Sequence, residues 1–250
     1  MKNKKRFAIP LICIAAALCL IILITVFATP LSYYICEMRF ADKYTDVDTS
    51  QVDVFYTAKK CGKIMNLVYK INPSDRNLEV LQSIYSPKMC IYGMYYGQEV
   101  PKDYKEKCVY YSKIMYDTPY NEKTMTTVVP VVPDVQKQWK IANGIEYATA
   151  LYILGDTAES RNTAEEVISL IDDDTFVMAL TIKDYFYYVY ATTTDETLKA
   201  WVLDKENILT EKGRENEKFG AYFRNHDKPY TNPDLDTYIK GPLPEDMAAQ

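Results

Sequence analysis

The run from Phe7 to Ile35 holds no charged residue and is closed on its amino side by Lys2, Lys4, Lys5 and Arg6. A bilayer's hydrocarbon core requires about 20 apolar residues in a helix, a length that Ile9 to Ala28 supplies by itself. A membrane span is the expectation. The basic cluster lies before the run and the first charge after it is Glu37, so the positive-inside bias holds the amino terminus in the cytoplasm and faces the rest outward. Pro10 falls in the first helical turn, where a missing donor costs little, and Pro30 with Ser32 marks the far end. Tyr33 and Tyr34 stand where an interfacial aromatic belt belongs.

The expected organisation is a basic cytoplasmic stub at 1–6, a transmembrane signal-anchor at 7–36, a stem at 37–51, an exported domain at 52–224 and an irregular tail at 225–250. The alternative is a cleaved signal peptide, because Val26-Phe27-Ala28 supplies an A-x-A-like site. Cleavage there gives a secreted chain beginning at Thr29. Cys13, Cys19 and Cys36 follow Ile12, Leu18 and Ile35, where a lipobox needs a small residue, so none reads as a lipidation site.

All 34 acidic residues lie after the run and four of the 29 basic ones lie before it. The exported part therefore carries 25 bases against 34 acids, a formal charge of −9. Phosphate binding needs local cation density, and no basic stripe stands out along the chain. Nucleic acid is excluded as a partner on that ground, and anionic lipid as the main one.

Helical periodicity recurs down the exported part. Val54, Ala58, Cys61, Met65 and Val68 share one face of a segment from about Val52 to Ile71, stopped by Asn72 and Pro73. Further helices are expected from Ser74 to Tyr85, Met89 to Tyr96, Lys102 to Tyr116, Val135 to Leu154, Thr157 to Ile171, Thr175 to Ala191 and Asp195 to about Lys212. Tyr120 to Asp134 is rich in Thr and Val but broken by Pro130 and Pro133, which makes it an extended connector or an edge strand. With eight glycines and few alternating apolar patterns, the fold class is all-α. Cys61, Cys90 and Cys108 read as small buried hydrophobes, with a Cys90–Cys108 disulfide as the alternative. The 23 tyrosines suit half-buried helix seams, and also contact surfaces.

Three segments place residues at successive steps of four, three and five, of which two end in proline and one has an aromatic at the second position. Cys61, Met65, Val68 and Pro73 form the first set, and Lys107, Tyr111, Ile114 and Pro119 the second, preceded by Asp103-Tyr104. Ser160, Ala164, Val167 and Asp172 form the third, introduced by Gly155-Asp156. This pattern resembles the tetratricopeptide repeat over about half of the exported part. It departs from the family in its spacing, the sets lying 46 and 53 residues apart against about 34 in the family, and in Lys107 where a small residue belongs. An unrelated helical bundle is the other architecture. The resemblance implies a concave surface lined by first helices, which places Tyr92, Tyr96, Glu99, Ile145, Thr149 and Tyr152 on a ligand-contact face. A face such as Tyr185, Tyr188 and Thr192 reads as core.

His226, in the tail, is the only histidine, which removes histidine triads, Cys-His dyads and His metal clusters. No G-x-S-x-G, S-x-x-K, P-loop or G-x-G-x-x-G occurs. Asp46, Asp48 and Asp53 fail as a calcium loop, since Gln51 and Thr57 stand where Gly and Glu are needed. No metal or cofactor is expected. Glu165 with Glu166, and Asp172 to Asp174, read as solvated faces, with Asp173 or Asp174 capping the next helix at Thr175. The expectation is a membrane-anchored outward module that binds a protein, peptide or envelope component and is not itself catalytic. The alternatives are an envelope hydrolase using paired carboxylates and a structural subunit of a membrane assembly.

Overall fold

Side-chain caps decide where most of the helices begin, and the computed structural model describes them over residues 19–20, 53–125 and 134–217. Helix α1 (Val54–Ile71) starts at Asp53, whose carboxylate accepts from the Tyr56 N–H at 2.8 Å. Helix α2 (Asp75–Ile84) follows, with Ser74 Oγ accepting from the Asn77 N–H. The Asn77 amide donates back to the Asn72 carbonyl at 2.9 Å, satisfying a group freed by the end of α1. Ala58, Cys61, Met65 and Val68 of α1 are buried, as the periodicity requires.

The chain divides into two compact units, the first ending at Ile84 and the second beginning at Tyr85. In the second, α3 (Pro87–Tyr95) is capped by Ser86 with Pro87 in its first turn, where the ring costs no hydrogen bond. Helix α4 covers Lys102–Asp117, and α5 (Val135–Leu154) begins at Asp134, which accepts from the Lys137 N–H at 2.9 Å. Gly155 ends α5 in the left-handed region at φ 103°, and the Asp156 N–H closes the turn on the Leu151 carbonyl. Asp156 then caps α6 (Thr157–Ser169) by accepting from the Glu159 N–H. After a 3₁₀ turn at Phe176–Met178 come α7 (Ala179–Thr192) and α8 (Glu196–Glu215), the latter capped by Asp195 through the Thr197 and Leu198 N–H groups. Every regular element among the described residues is helical, so the fold is all-α.

Helix α5 is the axis of the second unit. Twelve of its 20 residues are buried, the signature of a helix covered on most sides rather than along one stripe. It packs along α4 and α6 and also meets α3 and α7. The core joins Ile141, Ile145, Ala148 and Leu151 of α5 to Ala164 and Val167 of α6, Ile182, Phe186 and Val189 of α7, and Trp201 and Val202 of α8. Tyr85, Tyr104, Tyr111, Tyr116, Tyr147, Tyr185 and Tyr188 are buried in the same unit, which fits the seam role of the tyrosines.

Most boundaries move by one to three residues from the sequence expectation, and two of the shifts flank one turn. Helix α6 ends at Ser169, not Ile171, and α7 begins at Ala179, not Thr175. Asp172 organises the turn that lies between the two helices. Its Oδ1 accepts from the N–H groups of Asp174 and Thr175 and from the Thr175 hydroxyl, and Lys137 pairs with its other oxygen. Asp172, rather than Asp173 or Asp174, is thus the residue that organises this turn. Of the run at 7–36, only Cys19 and Leu20 are described, both helical and exposed. No helix among the described residues is long and apolar enough to cross a membrane. The stem at 37–51, the tail at 225–250 and most of the 120–134 connector also lie outside the described residues.

Candidate functional site

Helices α3, α5 and α7 each carry polar side chains at three- and four-residue steps, and these converge. On α3 the residues are Lys88 and Tyr92, with Tyr96 at the carboxyl cap. On α5 they are Glu146, Thr149 and Tyr152, and on α7 Asp184, Tyr188 and Thr192. The Lys88 ammonium acts on both the Glu146 and the Asp184 carboxyls, and it lies 5.8 Å from the Tyr92 ring centroid. The Tyr152 ring meets Tyr188 edge-on at 5.7 Å, and its hydroxyl lies 3.1 Å from Thr192 Oγ1. Tyr188 in turn donates to Met94 Sδ at 3.9 Å, tying α7 back to α3.

Glu146 is the unusual group. It is the only acid on α5, and its Oε2 is fully buried with no hydrogen-bond partner. Burial pushes its carboxyl up to about 7, against a smaller opposing pull from Lys88. Asp184, the only acid on α7, is pushed up to about 6 by the same cause, with Lys88 again opposing. Much of the Asp184 surface remains open to water, so Glu146 is the more strongly perturbed of the two. Near neutral pH this face therefore holds an acid poised between its charged and neutral forms. An incoming cation would favour the charged form.

Behind the face lie two thiols. Cys90 of α3 and Cys108 of α4 are fully buried and carry no disulfide. Burial raises the Cys108 thiol, and a hydrogen bond with Cys90 and the neighbouring Glu146 raise it further. A thiol raised in this way is a poor nucleophile. Among the described residues, no cluster of three or more His, Cys, Asp or Glu side chains is arranged to hold a metal ion.

The six residues placed on a contact face by sequence fall into two groups. Tyr92, Tyr96 and Tyr152 are half-buried, and Glu99 is exposed in the turn between α3 and α4. Ile145 and Thr149 are buried; Ile145 belongs to the core, and the Thr149 hydroxyl donates to the Ile145 carbonyl at 2.7 Å. Lys88, Glu146 and Asp184 were not among those six. The available signal was slight: Glu146 and Asp184 are the single acids of α5 and α7.

The other acid clusters have structural partners. Glu165 accepts from the Trp201 indole at 2.8 Å and pairs with Arg161, while Glu166 accepts from the Tyr116 hydroxyl at 2.7 Å. Asp172 is held at about 2 by Lys137 and by Thr175. Tyr185 and Tyr188 are buried as expected of core, while Thr192 is exposed. No family model matches the chain, and neither a curated protein nor a solved structure matches it.

Proposed function

We propose that this chain is a membrane-anchored, outward-facing helical module that binds a protein or peptide segment on the face built by α3, α5 and α7. The observation that carries the reading is Glu146, a carboxyl with a buried, unpartnered oxygen on the helix that also bears Tyr152, within the influence of the Lys88 charge of α3. Leaving such an acceptor unmatched costs about 1–3 kcal/mol, a cost that a ligand's donor recovers. Tyrosine provides stacking area and hydroxyl hydrogen bonding with little rotamer entropy to lose. The matching ligand is a segment bearing Lys or Arg side chains, since Glu146, Asp184 and Glu99 outnumber Lys88.

A tetratricopeptide-like order bears on the placement through α5 and its neighbours, although α3 does not pack along α4 as the two helices of one hairpin would. Helix α5 packs on α4 before it and α6 after it, and meets α3 and α7 on either side. First helices α3, α5 and α7 would then line one surface with α4, α6 and α8 behind them. Ser160, Ala164 and Val167 of the third repeat set are wholly buried on α6, while its fourth member, Asp172, is exposed beyond the helix's end.

An envelope hydrolase is the second reading, favoured by the Glu146 carboxyl standing near 7, as a general acid requires. Against it, neither Glu146 nor Asp184 shifts the other, as two acids flanking one bond do.

The test is photocross-linking in native membranes, with benzoylphenylalanine at 92, 96, 99 or 152 of the full chain and at exposed Tyr110 as the control. Adducts confined to the first four positions support the reading. Equal adducts at 110, or none at all, overturn it. Finding mature protein that begins at Thr29 would remove the anchor and leave a secreted module.

A further inference from the structure

Helix α1 breaks the charge pattern of the chain it belongs to. Its 18 residues contain Lys59, Lys60, Lys63 and Lys70 and no acid, while the remainder of the exported part holds 21 bases against 34 acids. All four lysines are exposed, and so are Tyr56, Leu67 and Ile71, at 48%, 61% and 44%. At 3.6 residues per turn these seven positions fall within an arc of about 120°, opposite the buried Ala58, Cys61, Met65 and Val68. The Lys60 ammonium lies 4.3 Å from the Tyr56 ring centroid, so cation and aromatic face the same way. Read linearly, the lysines are diluted by apolar residues and acidic flanks. Wound into a helix, they form the basic stripe that the sequence hides.

We infer that this arc of α1 is a docking surface for an anionic lipid bilayer, its lysines meeting headgroup phosphates while Tyr56, Leu67 and Ile71 enter the interfacial layer. Charge complementarity selects this occupant. A second copy of this acidic chain would have to bring acids of its own to meet the lysines, but would gain nothing from three apolar side chains interleaved with them. A bilayer interface takes both, because long lysine stems reach to the headgroups while shorter apolar groups sink below them. The nearness of α1 to such a surface rests on the membrane anchor proposed above: with that anchor, only the 24 residues 29–52 separate the stretch ending at Ala28 from the Asp53 cap, which keeps α1 within reach of the bilayer. Each lysine near an anionic surface is worth about 1 kcal/mol, roughly fivefold in partitioning.

This inference is independent of ligand capture by α3, α5 and α7, because it rests on a different helix and a different ligand chemistry. The test uses Leu67→Trp in the full chain, reconstituted in vesicles of brominated phosphatidylcholine with or without about 30% phosphatidylglycerol. The parent protein corrects for Trp139 and Trp201. The expected result is quenching of the introduced indole at least about threefold stronger with phosphatidylglycerol, abolished near 0.5 M salt by screening and reduced about tenfold or more in K60Q/K63Q. These lysines are exposed, so the variant's retained helicity and melting point confirm that only the surface changed. Equal quenching in both lipids, or quenching indifferent to the lysines, overturns the inference. So does a signal that follows protein density instead of lipid charge, which assigns the arc to a second copy. Should the mature chain begin at Thr29, co-sedimentation of the soluble form with the same vesicles reads the same property.

Discussion

Lys183 Nζ on α7 lies 2.9 Å from Glu206 Oε1 on α8, and their side chains are only 7% and 9% exposed. Thr210 completes the group, its Oγ1 accepting from Lys183 at 3.1 Å and donating to Glu206 at 3.0 Å. Taking two charges out of water costs about what their attraction returns, so the intact group contributes little net stability. Breaking it on one side is different. Lys183→Met should cost about 3–5 kcal/mol by stranding a buried carboxylate, while Lys183→Met with Glu206→Leu should return close to the parent. Equilibrium urea unfolding of the four proteins of this cycle measures it, and strictly additive losses would show the pair to be uncoupled.

Gly144 sits where α5 crosses α6 and α4 most closely. A Cβ there would collide with the Val167 side chain and come within 2.8 Å of Tyr116 Cε2. Gly144→Ala gains about 1 kcal/mol of helix propensity but forces an overpacked seam costing about 1–3 kcal/mol. The expected net is a loss. Val167→Ala removes the methyl that blocks the new one, so the double variant should lose less than the sum of the singles by at least about 0.5 kcal/mol. Thermal melts of all four forms decide it.

The thiols of Cys61, Cys90 and Cys108 are each wholly buried. Alkylation requires an accessible thiolate, and burial raises the Cys108 thiol away from that form. Iodoacetamide should therefore leave all three unmodified in the folded protein at pH 8 and label them once urea unfolds it. Peptide mass spectrometry after a timed pulse reads each site separately. Labelling of Cys108 at the rate of a free thiol would contradict its complete burial.

The succession of helices was legible because its cues are local. Asp53, Asp134, Asp156 and Asp195 all stand one residue before a helix that begins where each side chain accepts an N–H. Gly155 and Pro73 end helices for backbone reasons that no tertiary contact needs to reinforce. What escaped was the information that depends on winding and on distance. The α1 lysines become a stripe only at 100° per residue, and the Asp172 turn after α6 is also tied by Lys137, 35 residues away, through its second oxygen. The site was half visible. Helical spacing led to Tyr92 and Tyr152, but the same register chose Ile145 over its neighbour Glu146, because periodicity ranks apolar residues and says nothing about an acid whose burial is tertiary.

Glu146 makes the sharpest pH prediction. Its carboxyl stands near 7 in the folded protein against 4.5 ordinarily, so between those values the unfolded chain has released a proton that the native state still holds. The unfolded state then binds fewer protons, and stability falls as pH rises from about 4.5 to about 7 and is flat beyond it. The size is on the order of 2–3 kcal/mol, discounted for the residue's partial exposure. Asp172 works in the opposite sense: held at about 2 by Lys137 and Thr175, it loses its contribution only as pH falls below its ordinary value of 3.8. Glu146→Gln should shrink the decline between pH 5 and 8 to the part that Asp184, raised to about 6, contributes at its lower end, and leave the acid limb in place. Urea midpoints at half-unit pH steps for parent and variant test both limbs, and a parent whose stability rises over pH 5–8 relative to Glu146→Gln would place the carboxylate in water.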